Sequence, residues 1–274
     1  MRRLLELINL VTKKRNLDFS KLTPIHPINR GIPVVDPKIK TDCGHCQKCL
    51  EVCPTNTIQK SGKEILDFDY GKCIQCGICV AYCPSEKLIN SGFTFIFGFR
   101  REEFQITYED GNFSYDKRYN TRDLPKSIFE FRRLTNGKGF SYREVATSGN
   151  NSVESELGAS FNSVFDSEGL GIRVVASPKH ADAILFSGPV PPRMVHPLKK
   201  AFSVTPDPKI LIACGTEAVS GGIYATGERP KEPDLWIAGD PPRPEVILAA
   251  FLLALGRISF EFKEELHKFL ESLK

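Results

Sequence analysis

Hydrophobic positions follow different periods in different regions of the chain. In residues 1–15, Leu4, Leu5, Leu7, Ile8 and Val11 share one broad helical face flanked by basic side chains, which predicts an amphipathic helix. Residues 22–41, LTPIHPINRGIPVVDPKIKT, are rich in proline and carry no period, so they read as an extended lead-in. FTFIFGF (93–99) and FQITYEDGNFSYDKRY (104–119) read as strands, with Glu109, Asp110 and Gly111 as a turn between two of them. Residues 121–140 are charged and punctuated by glycine and proline, the texture of a linker. From Gly171 onward the apolar runs IRVVAS, AILFSG, ILIACG and LWIAG are separated by helix-length stretches, which predicts a parallel sheet covered on both faces. RPEVILAAFLLAL (243–255) predicts a buried helix entered at a proline-rich turn. SFEFKEELHKFLESLK (259–274) predicts an amphipathic closing helix capped by Ser259.

The 274 residues are 41% hydrophobic and 26% charged, a globular composition with length for about two domains. The longest apolar run, Val246–Leu255, covers ten residues where a bilayer needs ~20, so no spanning helix is expected. No small-residue cleavage site follows an apolar stretch near the N-terminus, so no secretory signal is expected. The net charge of +4 is uneven, because residues 1–30 hold seven basic and two acidic side chains. A surplus this small gives no case for nucleic acid. In FIFGFRREEF and FEFRRL the basic and aromatic residues are interleaved with acids, as on a solvated strand edge. TSGNNS and AVSGG make no G-x-G-x-x-G or phosphate loop, and no nucleotide is expected.

Eight of the nine cysteines lie between Cys43 and Cys83. Cys43-x2-Cys46-x2-Cys49-x3-Cys53-Pro54 is repeated thirty residues later as Cys73-x2-Cys76-x2-Cys79-x3-Cys83-Pro84. Such clustering without an export signal points to metal ligation rather than disulfides. Zinc usually takes two separated pairs of ligands, not runs of four ending in proline. The doubled run is the one that holds two 4Fe–4S clusters in bacterial-type ferredoxins. Three thiolates on one tight loop reach three irons of a cube, and the fourth, a helical turn further on, faces the other cube. Cluster one is therefore expected on Cys43, Cys46, Cys49 and Cys83, and cluster two on Cys73, Cys76, Cys79 and Cys53. Pro54 and Pro84 turn the chain away after each run. With every iron held by sulfur, the expected role is one-electron transfer. His45 reads as solvent-facing, and Lys48 and Lys72 as nearby charges that raise the cluster potentials.

Beyond the cysteines, NRGIPVVDPKIKTDCGHC, LDFDYGKCIQCGICVAYCP and FGFRREEF resemble the two-cluster ferredoxin subunit of complex I and of group 4 membrane-bound nickel–iron hydrogenases, including formate hydrogenlyase. That resemblance implies that residues 1–15 sit against a membrane-arm subunit, whereas their pattern alone also suits an end helix packed on its own protein. GIRVVASPKHADAILFSGPV, DPKILIACGTEAVSGGIY and IAGDPPRPEVILAAFLLAL resemble the small, proximal-cluster subunit of the same hydrogenases and the B-type subunit of complex I. The two resemblances together imply an α+β ferredoxin-like two-cluster domain followed by an α/β flavodoxin-like domain with a parallel sheet. The expected divisions are a helix and lead-in over 1–41, a ferredoxin domain over 42–120, a linker over 121–140 and a small-subunit-like domain over 141–274.

The small-subunit family carries one cluster on four cysteines, and here those positions have changed. Asn150, Ser152 and Val153 stand in the early turn, Glu217 stands in the GxCAxSGG segment and Asp240 before PPRPE. Asparagine and carboxylates are poor ligands for iron–sulfur cubes, so no third cluster is expected. Cys214, three residues before Glu217, is a lone thiol that cannot hold a cube. Two readings of the changed pocket stay open: a collapsed docking surface, or Glu217 and Asp240 converging on a hard cation or on Arg243. His180 lacks a nucleophile partner and reads as structural.

The expected function is that of an electron-transfer subunit of a hydrogenase-like or complex I-like oxidoreductase, peripheral on the cytoplasmic face of the cell membrane. Its expected partners are hydrogenase large-subunit-like or complex I-like subunits and a membrane-arm subunit. The alternatives are a scaffold of such a complex and a stand-alone ferredoxin-dependent reductase.

Overall fold

The computed structural model describes residues 23–26, 28–39, 43, 45–113 and 124–274. The helix expected over residues 1–15 lies outside the described residues.

The sequence duplication is also a structural one. β1 (Pro33–Val35) is followed by α1 (Lys48–Glu51), β2 (Ile58–Lys60), β3 (Ile65–Asp69), α2 (Ile78–Ala81) and β4 (Leu88–Asn90). Each cysteine run passes through a one-turn helix, a left-handed residue (Asn56, φ 50°; Glu86, φ 53°) and a three-residue strand. The lead-in is extended as expected, and part of it is core: β1 pairs antiparallel with β4, and Ile32, Val34 and Val35 are fully buried. After β5 (Phe97–Gly98), β6 (Gln105–Glu109) and β7 (Asn112–Phe113) complete a four-stranded antiparallel sheet in the order β2-β3-β6-β7. The β6–β7 turn falls on Asp110 (φ 50°) and Gly111 (φ 80°), the positive-φ pair that a two-residue hairpin prefers.

The rest of the chain runs α3 (Lys126–Thr135), β8 (Phe140–Val145), α4 (Ser152–Ala159), β9 (Ile172–Val174), β10 (Ala183–Phe186), α5 (Pro192–Val204), β11 (Ile210–Cys214), α6 (Thr216–Ser220), β12 (Leu235–Ile237), α7 (Pro244–Ala254) and α8 (Phe262–Leu273). Strands β12, β11, β10, β8 and β9 are mutually parallel neighbours in that order. Every residue of β10, β11 and β12 is buried, which explains their unbroken apolar sequence. All of α7 is buried too, and among the described residues no helix is long and apolar enough to cross a membrane.

Three expectations need correction. Residues 121–140 contain α3, whose Ile128 and Phe131 are completely buried, and β8 begins at Phe140. Lys126, Glu130 and Arg133 lie on the outer side of this amphipathic helix, which gives the stretch the polarity of a linker. Second, the strand in FTFIFGF pairs antiparallel with β12, Phe97 opposite Ile237 and Gly98 opposite Trp236, and forms the edge of the parallel sheet. Third, the closing helix starts at Phe262 with Glu261 in the cap position, not Ser259. Phe260 stacks on Phe97 at 4.2 Å between ring centroids, which holds the residues before Phe262 extended.

The two halves thus exchange elements. β5 leaves the cysteine-bearing half for the large sheet, and α8 returns to pack Phe262 against Tyr70, Phe93 and Phe104 at 6.0, 5.8 and 5.7 Å. One continuous apolar core results.

Candidate metal centres

The eight clustered cysteines line two adjacent voids. Cys43, Cys46, Cys49 and Cys83 line the first, together with Leu66, Pro84, Ser85 and Lys87. Cys53, Cys73, Cys76 and Cys79 line the second, with Pro54, Thr55 and Thr57. Each void takes three thiols from one run and the last cysteine of the other. The one-turn helices cause this crossing, because a helical turn between the third and fourth cysteine carries the fourth to the neighbouring void. Cys79 lies within electrostatic reach of Cys49, across the contact of α1 with α2.

The donor set suits an iron–sulfur cube. Among the described residues, sulfur is the only metal-ligating side-chain group on the wall of either void. Burial and the neighbouring Cys83, Cys46 and Cys43 push the Cys49 thiol up to about 11. Burial, with Cys53, Cys76 and Cys49 nearby, pushes Cys79 up to about 12, and Cys73 is also raised, mainly by burial. Bare thiolates are disfavoured at such positions, and a bound cation reverses that. Cys53 is lowered: burial raises it, but the Thr57 and Thr55 donors outweigh burial. The Thr57 N–H donates to Cys53 Sγ at 3.2 Å, and the Gln75 N–H to Cys73 Sγ at 3.4 Å. Among the described residues no three His, Cys, Asp or Glu side chains are arranged to hold a single metal ion. A cube gives each thiolate its own iron, so four sulfurs spread around a void fit it better than a tetrahedral zinc. No two of the nine cysteines are joined in a disulfide.

The remaining candidates fall elsewhere. His45 and His180 are exposed. Lys48 pairs with Glu51 at 2.9 Å in solvent, and Lys72 reaches Asp69 at 3.9 Å. Lys60 and Lys87 escaped the sequence reading: the Lys60 ammonium donates to the Cys43 carbonyl at 2.5 Å, and Lys87 is 4% exposed at the wall of the first void. Their register thirty residues from Asn90 and Thr57 was a usable signal.

Asn150, Glu217 and Asp240 do come together. The Asn150 N–H donates to Glu217 Oε2 at 3.1 Å, and its side-chain amide to Asp240 Oδ1 at 3.2 Å. Burial raises the Glu217 carboxyl, opposed by that N–H and reinforced by Asp240 and Glu154. Arg243 does not join them. It precedes α7 and its guanidinium turns onto Glu245, in the first turn of that helix. Ser152 and Val153 open α4, and Cys214 is fully buried at the end of β11. This corner touches the cysteine loops directly, through a buried hydrogen bond from Thr216 to the Cys73 carbonyl.

Comparison with known proteins divides the chain in the same way. Residues 42–87 match the 4Fe-4S dicluster domain, and residues 151–254 match the NADH ubiquinone oxidoreductase 20 Kd subunit family. Formate hydrogenlyase subunit 7 of Escherichia coli is 40% identical over 124 residues, 43% of this chain and 48% of that protein. The chain therefore spans about half the length of that relative. Probable membrane-bound hydrogenase subunit mbhJ of Pyrococcus furiosus is 34% identical over 122 residues, 42% of this chain and 73% of that protein. A chain of the membrane-bound sulfane sulfur reductase, an archaeal respiratory membrane complex, aligns with 21% identity and a TM-score of 0.38, over 54% of this chain and 88% of that one. With a region matching the 4Fe-4S dicluster domain ahead of one matching the 20 Kd subunit model, the chain belongs to the family of the membrane-bound hydrogenase subunit mbhJ.

Proposed function

We propose that this chain is an electron-transfer subunit of a membrane-associated hydrogenase-like or complex I-like oxidoreductase. It holds two 4Fe–4S clusters, one on Cys43, Cys46, Cys49 and Cys83 and one on Cys73, Cys76, Cys79 and Cys53. The observation that carries this reading is the sorting of eight thiols into two adjacent voids, four to each. A 4Fe–4S cluster supplies reversible one-electron exchange without an open coordination site. The protein buries the thiols in part, donates N–H groups to sulfur and keeps the voids side by side.

In the same reading the second half docks to a large-subunit-like partner and carries no cluster of its own. The hydrogen-bonded Asn150, Glu217 and Asp240 offer hard oxygen and amide groups where a cube needs thiolates. Cys214 is sealed in β11. Peripheral attachment to the cytoplasmic face of the membrane, through residues 1–15 and a membrane-arm subunit, completes the proposal.

The test is iron and acid-labile sulfide analysis of the anaerobically purified full chain, with EPR of the reduced form. About 8 irons per chain and two interacting cubane signals are expected. About 12 irons would place a third cube in the second half, and zinc in place of iron would overturn the reading altogether.

A further inference from the structure

The two voids are built by the same sequence unit, so several residues on one wall have counterparts thirty positions away on the other. Pro54 matches Pro84, Thr55 matches Ser85 and Ile58 matches Leu88, and each lines its own void. Hydrogen bonding to the fourth cysteine of each run is similar as well. Thr55 and Thr57 serve Cys53, and Ser85 with the Lys87 and Leu88 backbone serves Cys83.

The symmetry breaks at one pair. Thr57, 2% exposed, lines the second void, and its counterpart Lys87, 4% exposed, lines the first. The Lys87 ammonium meets Glu64 at 3.3 Å in a neighbouring space whose wall also includes Cys43, and Glu64 does not line the first void. Lys60 adds a second ammonium on the Cys43 carbonyl. Among the described residues no charged side chain lines the second void, and Arg30, which packs against its Gly77, is exposed. Lys72 stands outside it, shared with Asp69 and partly exposed, where water screens it.

We propose that Lys87, seconded by Lys60, makes the centre on Cys43, Cys46, Cys49 and Cys83 the first of the two to accept an electron. Reduction adds one negative charge to a centre, and a buried cation at its wall favours that form far more than an exposed one does. Among the described residues the second site also has the Gln75 N–H on Cys73 and the Thr57 hydroxyl on Cys53, but these are neutral dipoles, so the full charge of Lys87 is the larger difference between the sites. The second centre, bonded through Cys73 to Thr216, is then the harder to reduce, so an electron arriving there passes on to the first. The inference rests on the two-cluster reading above.

The test is an EPR-monitored redox titration of the full chain, with a one-electron reductant and Cys76→Ser to mark the second centre's signal. The unmarked centre should be reduced first. Lys87→Thr, which copies its counterpart, should lower that centre's potential at least about tenfold in reduction equilibrium, about 59 mV for one electron, and leave the other unmoved. Lys60→Gln should shift the same centre in the same direction if Lys87→Thr does not fold. Lys48→Gln should shift neither. Reduction of the marked centre first, or no shift in either lysine variant, overturns the proposal while leaving two clusters in place. Absence of both cubane signals overturns the two-cluster reading instead.

Discussion

The Thr216 hydroxyl donates to the Cys73 carbonyl at 3.2 Å and accepts the Gly239 N–H at 3.1 Å. Thr216 is fully buried and its own N–H bonds the Gly239 carbonyl at 2.8 Å. One side chain therefore ties a cysteine loop, the start of α6 and the end of β12 together.

Thr216→Val should strand a carbonyl and an N–H in the interior. Each unsatisfied group costs about 1–3 kcal/mol, and Thr216→Ser should recover most of the loss. Denaturant unfolding of the iron-loaded chain measures both variants. Equal stability of the Val and Ser forms would mean that the hydroxyl holds nothing together.

The exchange of elements between the halves predicts that α8 stabilises the cysteine-bearing half. Phe262→Ala removes the ring that touches Tyr70, Phe93 and Phe104, a core truncation of about 3–5 kcal/mol. It should also speed loss of iron-dependent absorbance on dilution into mild denaturant. Phe129→Ala, at a 57% exposed site, serves as the neutral control within about 0.5 kcal/mol.

The crossed cysteines make a sharper prediction. Cys53 belongs to the first run in sequence and to the second void in space. Cys53→Ala should therefore abolish the same EPR signal as Cys76→Ala, and Cys83→Ala the same signal as Cys46→Ala. Each variant should keep about 4 irons if the other cube survives. Pairing of Cys53 with Cys46 instead would refute the crossing.

Glu103 predicts a pH effect. Burial, with Glu261 nearby, pushes its carboxyl from 4.5 up to about 7. Between those values the folded chain holds a proton that the unfolded chain releases. This contribution to stability is complete below pH 4.5 and fades as the pH rises through about 7. Glu103→Gln should flatten the fall of Tm with pH over this window and raise Tm at pH 8. A variant curve parallel to the parent's would contradict the assignment.

Much of this was legible before any coordinates. β10, β11 and β12 announced themselves because both faces of each strand are buried, leaving unbroken apolar runs. β8 did not, because Ser141 and Arg143 alternate with its buried aromatics and Glu144 follows, giving the segment the polarity of a loop. α3 was hidden in the same way by the charges on its outer side.

The sequence by itself determined the grouping of the eight cysteines, four and four, and the crossing of their fourth members. Ligand spacing is local, and a helical turn is the same wherever it occurs. Only the tertiary structure decided which residues meet across long separations: β5 against β12, Phe262 against Tyr70, Asn150 between Glu217 and Asp240, and a buried Lys87 where the repeat has Thr57. These contacts depend on how separate segments pack, and no periodicity along a single segment records its neighbours.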